Sequence, residues 1–155
     1  MHNLLARYGY CMTDAPRLDR QVCFALYSAS RAATAVYRPV LEKLGLTYPQ
    51  YLVMLVLWES EPRGVKELGE ELGLDSGTLS PLLKRLESLG LVERRRSGED
   101  ERRVAIHLTP AGRELSGNAG AIPQRLADAA GLTAEELDQL RDTLGRLTAA
   151  LHSAL

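Results

Sequence analysis

Groups able to carry chemistry are scarce in this chain. It holds two cysteines, Cys11 and Cys23, and three histidines, His2, His107 and His152. Neither a Cys-x-x-Cys pair nor a Cys/His spacing suited to zinc occurs, so a metal site is not expected. No glycine-rich phosphate loop and no nucleophile elbow is present, and none of the histidines is assigned a catalytic role. The chain therefore reads as a protein that is not an enzyme and needs no cofactor. Long apolar runs are missing too: nothing approaches the ~18 residues of a membrane span. The N-terminus lacks the charged, apolar, small-residue order of a secretory signal, and the expected compartment is the cytoplasm. A formal net charge of -1 and a pI near 6.3 do not by themselves advertise a nucleic-acid partner.

The 155 residues present, 45% hydrophobic and 25% charged, suffice for one soluble globular domain with a real core. Their cations are unevenly placed, with Lys84, Arg85, Arg94, Arg95, Arg96, Arg102 and Arg103 falling close together. That cluster lies within the stretch Gly64 to Leu108. The stretch opens with a short helix pattern (Val65, Leu68, Leu72) and a Gly73 break, followed by a helix from about Asp75 to Leu89. Two strand-like runs follow, Leu91 to Arg96 and Arg102 to Leu108, joined by the turn-forming Ser97-Gly98-Glu99-Asp100. Helix, tight turn, helix and β-ribbon is the order of a winged helix-turn-helix, whose second helix enters a DNA groove while the ribbon touches flanking backbone or the minor groove.

At ~100° per residue, Leu79, Leu82, Leu83 and Leu86 form one inward stripe of the second helix. The outward side then carries Gly77, Ser80, Pro81, Lys84 and Ser88, flanked by Ser76, Thr78 and Arg85. Small hydroxyls allow close approach to base edges, and the cations reach phosphate or a guanine edge. Asp75 is the expected N-cap.

Residues 1–15 show no sustained periodicity and are expected to form an arm. A long helix is expected from Arg17 to about Lys43, with Leu18, Val22, Ala25, Ala29, Ala33, Val36 and Val40 as its core stripe. A second face carries Cys23, Leu26, Tyr27, Ser30, Thr34, Tyr37 and Leu41, which calls for a second partner, read as another subunit. Thr47-Tyr48-Pro49-Gln50 is a capping box before the apolar YLVMLVLWE, a central buried helix whose Met54 and Trp58 are core. After the ribbon, a weak helix from Thr109-Pro110 to about Ala130 is interrupted by Gly117, Gly120 and Pro123. A second capping box, Thr133 to Glu136, then opens a helix with Leu137, Leu140, Leu144, Leu147 and Leu151 at a/d spacing. The expected fold is thus mainly α with a small β-ribbon. N- and C-terminal helices would join two subunits, whose paired reading heads suit an inverted-repeat operator.

Cys23 admits two readings from the residues alone: a small buried hydrophobe, or a thiolate held by the phenolic hydroxyls of Tyr27 and Tyr37 and reactive toward a peroxide. Residues 18–109 resemble the organic-hydroperoxide-sensing repressors of the MarR family. The matching blocks are LDRQVCFALYSASRA, LTYPQYLVMLVLWE, VKELGEELGLDSGTLSPLLKRLESLGLV and GEDERRV. The resemblance implies a single MarR-like domain over 1–155, with an arm at 1–16, dimerisation helices at 17–45 and 110–155, and the winged helix-turn-helix at 47–108. It implies that Cys23 senses peroxide with Tyr27 and Tyr37 hydrogen-bonding to it, that Asp100 positions the ribbon tip, and that Arg102 enters the minor groove. Some members use a second cysteine in the C-terminal half as resolving partner; this chain has none after Cys23. An oxidised Cys23 would pair with Cys11, with a small-molecule thiol, or with nothing. The expected function is a dimeric repressor that releases DNA when organic hydroperoxide oxidises Cys23. The alternatives are a regulator released by a small phenolic effector, a thiol peroxidase, and a winged-helix scaffold that binds protein.

Overall fold

The computed structural model describes residues 17–96, 104–120 and 122–154. These fall into two compact units that divide between Ala35 and Val36. The arm at 1–16, with Cys11, and the ribbon residues 97–103 lie outside the described residues.

In the first unit a 3-10 turn, Leu18–Arg20, precedes helix α1, Val22–Lys43, which runs on into the second unit. The expected start at Arg17 is corrected: Gln21 is extended (φ -87, ψ 114), so the α-helix begins one residue later, at Val22. The expected core stripe is corrected as well. Leu18 (62% exposed) and Val22 (58%) are open, and the buried residue of α1 is Leu41, placed by the sequence pattern on the other face. Helical periodicity identifies an apolar face but not what covers it. Pro39 lies inside α1 and has no N–H to give to the Ala35 carbonyl, the residue at which the units divide.

The second unit holds α2 (Tyr48–Glu59), β1 (Arg63–Gly64), α3 (Val65–Leu72), α4 (Ser76–Ser88), β2 (Val92–Arg96), β3 (Val104–Leu108), α5 (Pro110–Glu114), α6 (Ser116–Ala119), α7 (Ile122–Ala130) and α8 (Ala134–His152). Helix α2 is the centre of its core, as an all-round apolar sequence requires: Tyr51, Val53, Met54, Val56 and Leu57 are buried. Its start is fastened by the Thr47 N–H donating to Gln50 Oε1 at 2.8 Å, which also satisfies the buried Gln50. Leu68 of α3, Leu79, Leu83 and Leu86 of α4, Val92 of β2 and Ile106 and Leu108 of β3 close around it. The ribbon expected from sequence is part of a three-stranded antiparallel sheet in the order β1-β3-β2. The expected weak helix after the ribbon is three short ones, α5, α6 and α7, and Pro123 falls in the first turn of α7, where a missing N–H costs nothing. In α8 the capping box forms: Glu136 N–H donates to Thr133 Oγ1 (3.2 Å) and Thr133 N–H to Glu136 Oε2 (2.8 Å). No residue of α8 is buried.

Candidate functional site: reading helix, ribbon and thiol

The turn between α3 and α4 is set by Gly73, whose left-handed backbone (φ 63) an L side chain rarely adopts. The Leu74 N–H then reaches back to the Gly69 carbonyl at 2.8 Å, and α4 starts at once. Asp75 is its N-cap: Oδ1 accepts from Thr78 N–H at 2.9 Å and Oδ2 from Thr78 Oγ1 at 3.1 Å. These bonds, led by the backbone one, hold the Asp75 carboxyl below its usual range, so the cap stays charged. Leu79, Leu83 and Leu86 are buried and Leu82 half-buried, as the stripe requires. Ser76, Thr78, Ser80, Lys84 and Arg85 all stand exposed. One helix thus presents hydroxyls on its first turns and cations beyond them, with its apolar side anchored in the core.

The ribbon leaves beside it. β2 and β3 pair from Val92↔Leu108 to Arg96↔Val104. Arg94 Nε donates to Glu87 Oε2 at 2.8 Å, so this cation ties β2 to the end of α4. Arg95 pairs with Glu93 on its own strand. Arg96 ends β2, with its side chain outside the described residues, as are Asp100, Arg102 and Arg103. At the ribbon's root, Thr109 Oγ1 donates to the Gly90 carbonyl at 2.6 Å and its N–H to the Leu91 carbonyl at 3.0 Å. Gly112 packs so tightly there that an added Cβ would lie 2.0 Å from the Leu91 oxygen.

Cys23 sits in the first turn of α1 and is exposed. The reading of it as a buried small hydrophobe is corrected, at least within one chain. One turn on, the Tyr27 hydroxyl accepts from Arg31 Nη1 at 2.8 Å, and the Arg31 guanidinium lies 5.5 Å from the Tyr27 ring centroid. In the second unit, Tyr37 stacks on Tyr48 with centroids 5.7 Å apart and planes 14° apart. Tyr48 continues to Tyr51 (6.5 Å) and Tyr51 to Trp58 (6.2 Å, edge-on). Trp58 Nε1 donates to the Gly112 carbonyl at 2.8 Å. An aromatic row therefore runs from Tyr37 of α1 through α2 to the root of the ribbon. Burial, and then the neighbouring Tyr48, push the Tyr37 phenol above its usual range. Tyr48 was read from the sequence only as part of a helix start; stacking between two helices leaves no mark in spacing. Among the described residues no group of histidine, cysteine and carboxylate side chains could hold a metal ion. No described helix is long and apolar enough to cross a membrane.

Braced reading helix, tight turn and antiparallel ribbon define a winged helix-turn-helix regulator that binds DNA. Residues 35–118 match the family profile described as Transcriptional regulator SarA/Rot. The Organic hydroperoxide resistance transcriptional regulator of Bacillus subtilis (strain 168) is 49% identical over 139 residues, 90% of this chain and 95% of that protein. AbfR of Staphylococcus epidermidis is similar in three solved states. They are reduced and bound to DNA (36% identity, 87% and 94% of the two chains, TM-score 0.71), overoxidised and bound to DNA (39%, 84% and 96%, 0.65), and with a disulfide formed (38%, 85% and 93%, 0.61). The chain belongs to the MarR and SarA-type family of winged-helix transcriptional regulators, and within it to the group of the organic hydroperoxide resistance regulators.

Proposed function

We propose that this chain is a cytoplasmic, homodimeric repressor that holds an inverted-repeat operator while Cys23 is reduced and releases it when an organic hydroperoxide oxidises that residue. The observation that carries the reading is an exposed thiol in the first turn of α1, the helix whose Tyr37 begins the aromatic row to the ribbon's root. A thiolate is the nucleophile toward peroxide, and an exposed sulfur is open to attack one. The sulfur attacks one peroxide oxygen, the S–O bond forms as the O–O bond breaks, and the remaining alkoxide leaves as an alcohol after taking a proton. The sulfenic acid then condenses with the thiol of Cys11 or of a small molecule, giving a disulfide and water, or persists with no partner. Either product breaks the network proposed for Cys23, Tyr27 and Tyr37 in the dimer and shifts α1 against its partner, moving the two reading heads out of register.

On DNA, Ser76, Thr78 and Ser80 approach base edges, Lys84 and Arg85 reach backbone or guanine, and Arg94, Arg95, Arg96 and Arg103 serve the flanking phosphates. Asp100 positions the ribbon tip and Arg102 enters the minor groove. The domain boundaries follow: a single functional domain over 1–155, with 17–45 and 110–155 supplying the dimer helices and 47–108 the reading head. The open leucines of α8 support that assignment. The test is operator binding by fluorescence anisotropy, wild type beside Cys23→Ser, with and without an organic hydroperoxide. Wild type should lose binding and Cys23→Ser keep it; equal loss in both would refute the assignment. Consumption of one peroxide per subunit marks a sensor, whereas repeated turnover with a thiol reductant would mark a peroxidase.

A further inference from the structure

The register of β1 on β3, Arg63↔Ile106 and Gly64↔Ala105, would set Pro62 against His107 and Glu61 against Leu108 if it continued. Proline has no N–H, so the ladder stops there. The Leu108 N–H is satisfied instead by the Glu61 side chain, which accepts from it through Oε2 at 2.6 Å. The other carboxylate oxygen, Oε1, accepts from Arg113 Nε of α5 at 2.5 Å. One carboxylate thus joins the connection after α2 to the last residue of β3 and to α5. It lies at the root of the ribbon, where β3 ends and α5 begins. Its exposure is low, 20% of the side chain against 54% for Arg113.

From Val92 to Arg96 is four steps of about 3.4 Å, a lever of roughly 14 Å, so a tilt of about 6° at the root moves the far end by about 1.5 Å. Such a shift is enough to break a phosphate contact made at hydrogen-bond distance. We propose that Glu61 is a positioning residue for DNA binding: bridging Leu108 N–H and Arg113, it fixes the angle at which the β2–β3 ribbon leaves the body of the protein. The proposal rests on the DNA-binding reading and adds to it a residue that touches no DNA.

The test uses the full chain and a duplex selected by wild type from a random-sequence library, with affinity measured over a range of salt. Glu61→Ala is expected to weaken binding about tenfold and to flatten the dependence of log K on log salt by about one phosphate contact. Glu61→Gln, whose amide oxygen still accepts from Leu108, should recover part of the loss. The deficit should shrink to less than about twofold on an Arg95→Ala background, because ribbon contacts are already impaired, and persist on a Lys84→Ala background. A protein that merely unfolds loses active fraction but keeps the salt slope of the remainder, so slope and active fraction are read together. Wild-type affinity and slope in Glu61→Ala, or an undiminished deficit on the Arg95→Ala background, would overturn the proposal alone. Failure of wild type to select any duplex would remove the DNA-binding reading and the proposal with it.

Discussion

Among the described glycines, Gly112 leaves a side chain the least room. The oxygen that a new Cβ would meet, 2.0 Å away, belongs to the Leu91 backbone and cannot rotate aside. Gly112→Ala is expected to destabilise by about 3 kcal/mol, the upper end of ordinary overpacking, seen as a lower denaturant midpoint; an unchanged midpoint would show that the approach is dispensable. On α4 two neighbouring leucine and serine positions should separate cleanly. Leu83 is 0% exposed, so Leu83→Ala should lose about 2–5 kcal/mol. The exposed Ser80 should shift stability by less than about 0.5 kcal/mol on Ser80→Ala while weakening operator binding. If Ser80→Ala bound the operator as wild type does, the outward face would have been assigned wrongly.

Glu61 gives a pH signature. Burial alone would raise its carboxyl, but the bonds from Leu108 N–H and Arg113 outweigh that and hold it below the ordinary 4.5. A carboxyl depressed in the folded state contributes stability that is present above its unfolded value and lost as pH falls through the folded one. Glu61→Gln should therefore be less stable than wild type near neutrality, with the gap closing as pH drops below about 4.5. Thermal melts from pH 7 to pH 3 check this, and a gap that stays constant throughout would contradict it.

At the scale of elements, legibility followed how local each cause is. The apolar run of α2, the leucine stripe of α4 and the Thr133–Glu136 capping box are written in neighbouring residues and form where the pattern places them, while the Thr47–Gln50 box forms its Thr47 N–H to Gln50 half. β1 is two residues, Arg63 and Gly64, too short for alternation; it exists only because β3 offers an edge. The start of α1 was missed because one extended residue, Gln21, decides it. Lys84, Arg85, Arg94 and Arg95 stand exposed, but the Arg94–Glu87 link leaves no mark in the sequence, since seven residues and a turn separate the partners. Tyr48 and Glu61 belong to the same class: contacts made by tertiary approach, silent in spacing. The aromatic row makes its own prediction. Trp58→Phe keeps a ring for Tyr51 but leaves the Gly112 carbonyl without its donor. A loss of about 1–3 kcal/mol and a smaller ratio of operator affinities before and after peroxide are expected; full peroxide release with lowered stability would restrict Trp58 to a structural role.

For the molecule as a whole, the unfinished surface is apolar. Leu140, Leu144 and Leu151 of α8 are 47%, 37% and 55% exposed, and Leu18, Val22 and Phe24 are open near the other end of the chain. Under the proposed dimer, a helix of the second subunit covers this stripe. Leu144→Glu with Leu151→Glu should shift sedimentation to the monomer and weaken operator binding, because two linked reading heads bind more tightly than one. A dimer unaffected by both charges would place the interface elsewhere.

Under the proposed function, the state of one sulfur sets whether DNA is held. It is tested most directly by titrating an organic hydroperoxide into the protein–operator complex, following release by anisotropy and the oxidation state of Cys23 and Cys11 by mass spectrometry in the same samples. Release is expected to rise in step with Cys23 converted to sulfenic acid or disulfide, one modified Cys23 per subunit. Operator still bound with Cys23 fully converted, or released while Cys23 remains a thiol, would contradict it.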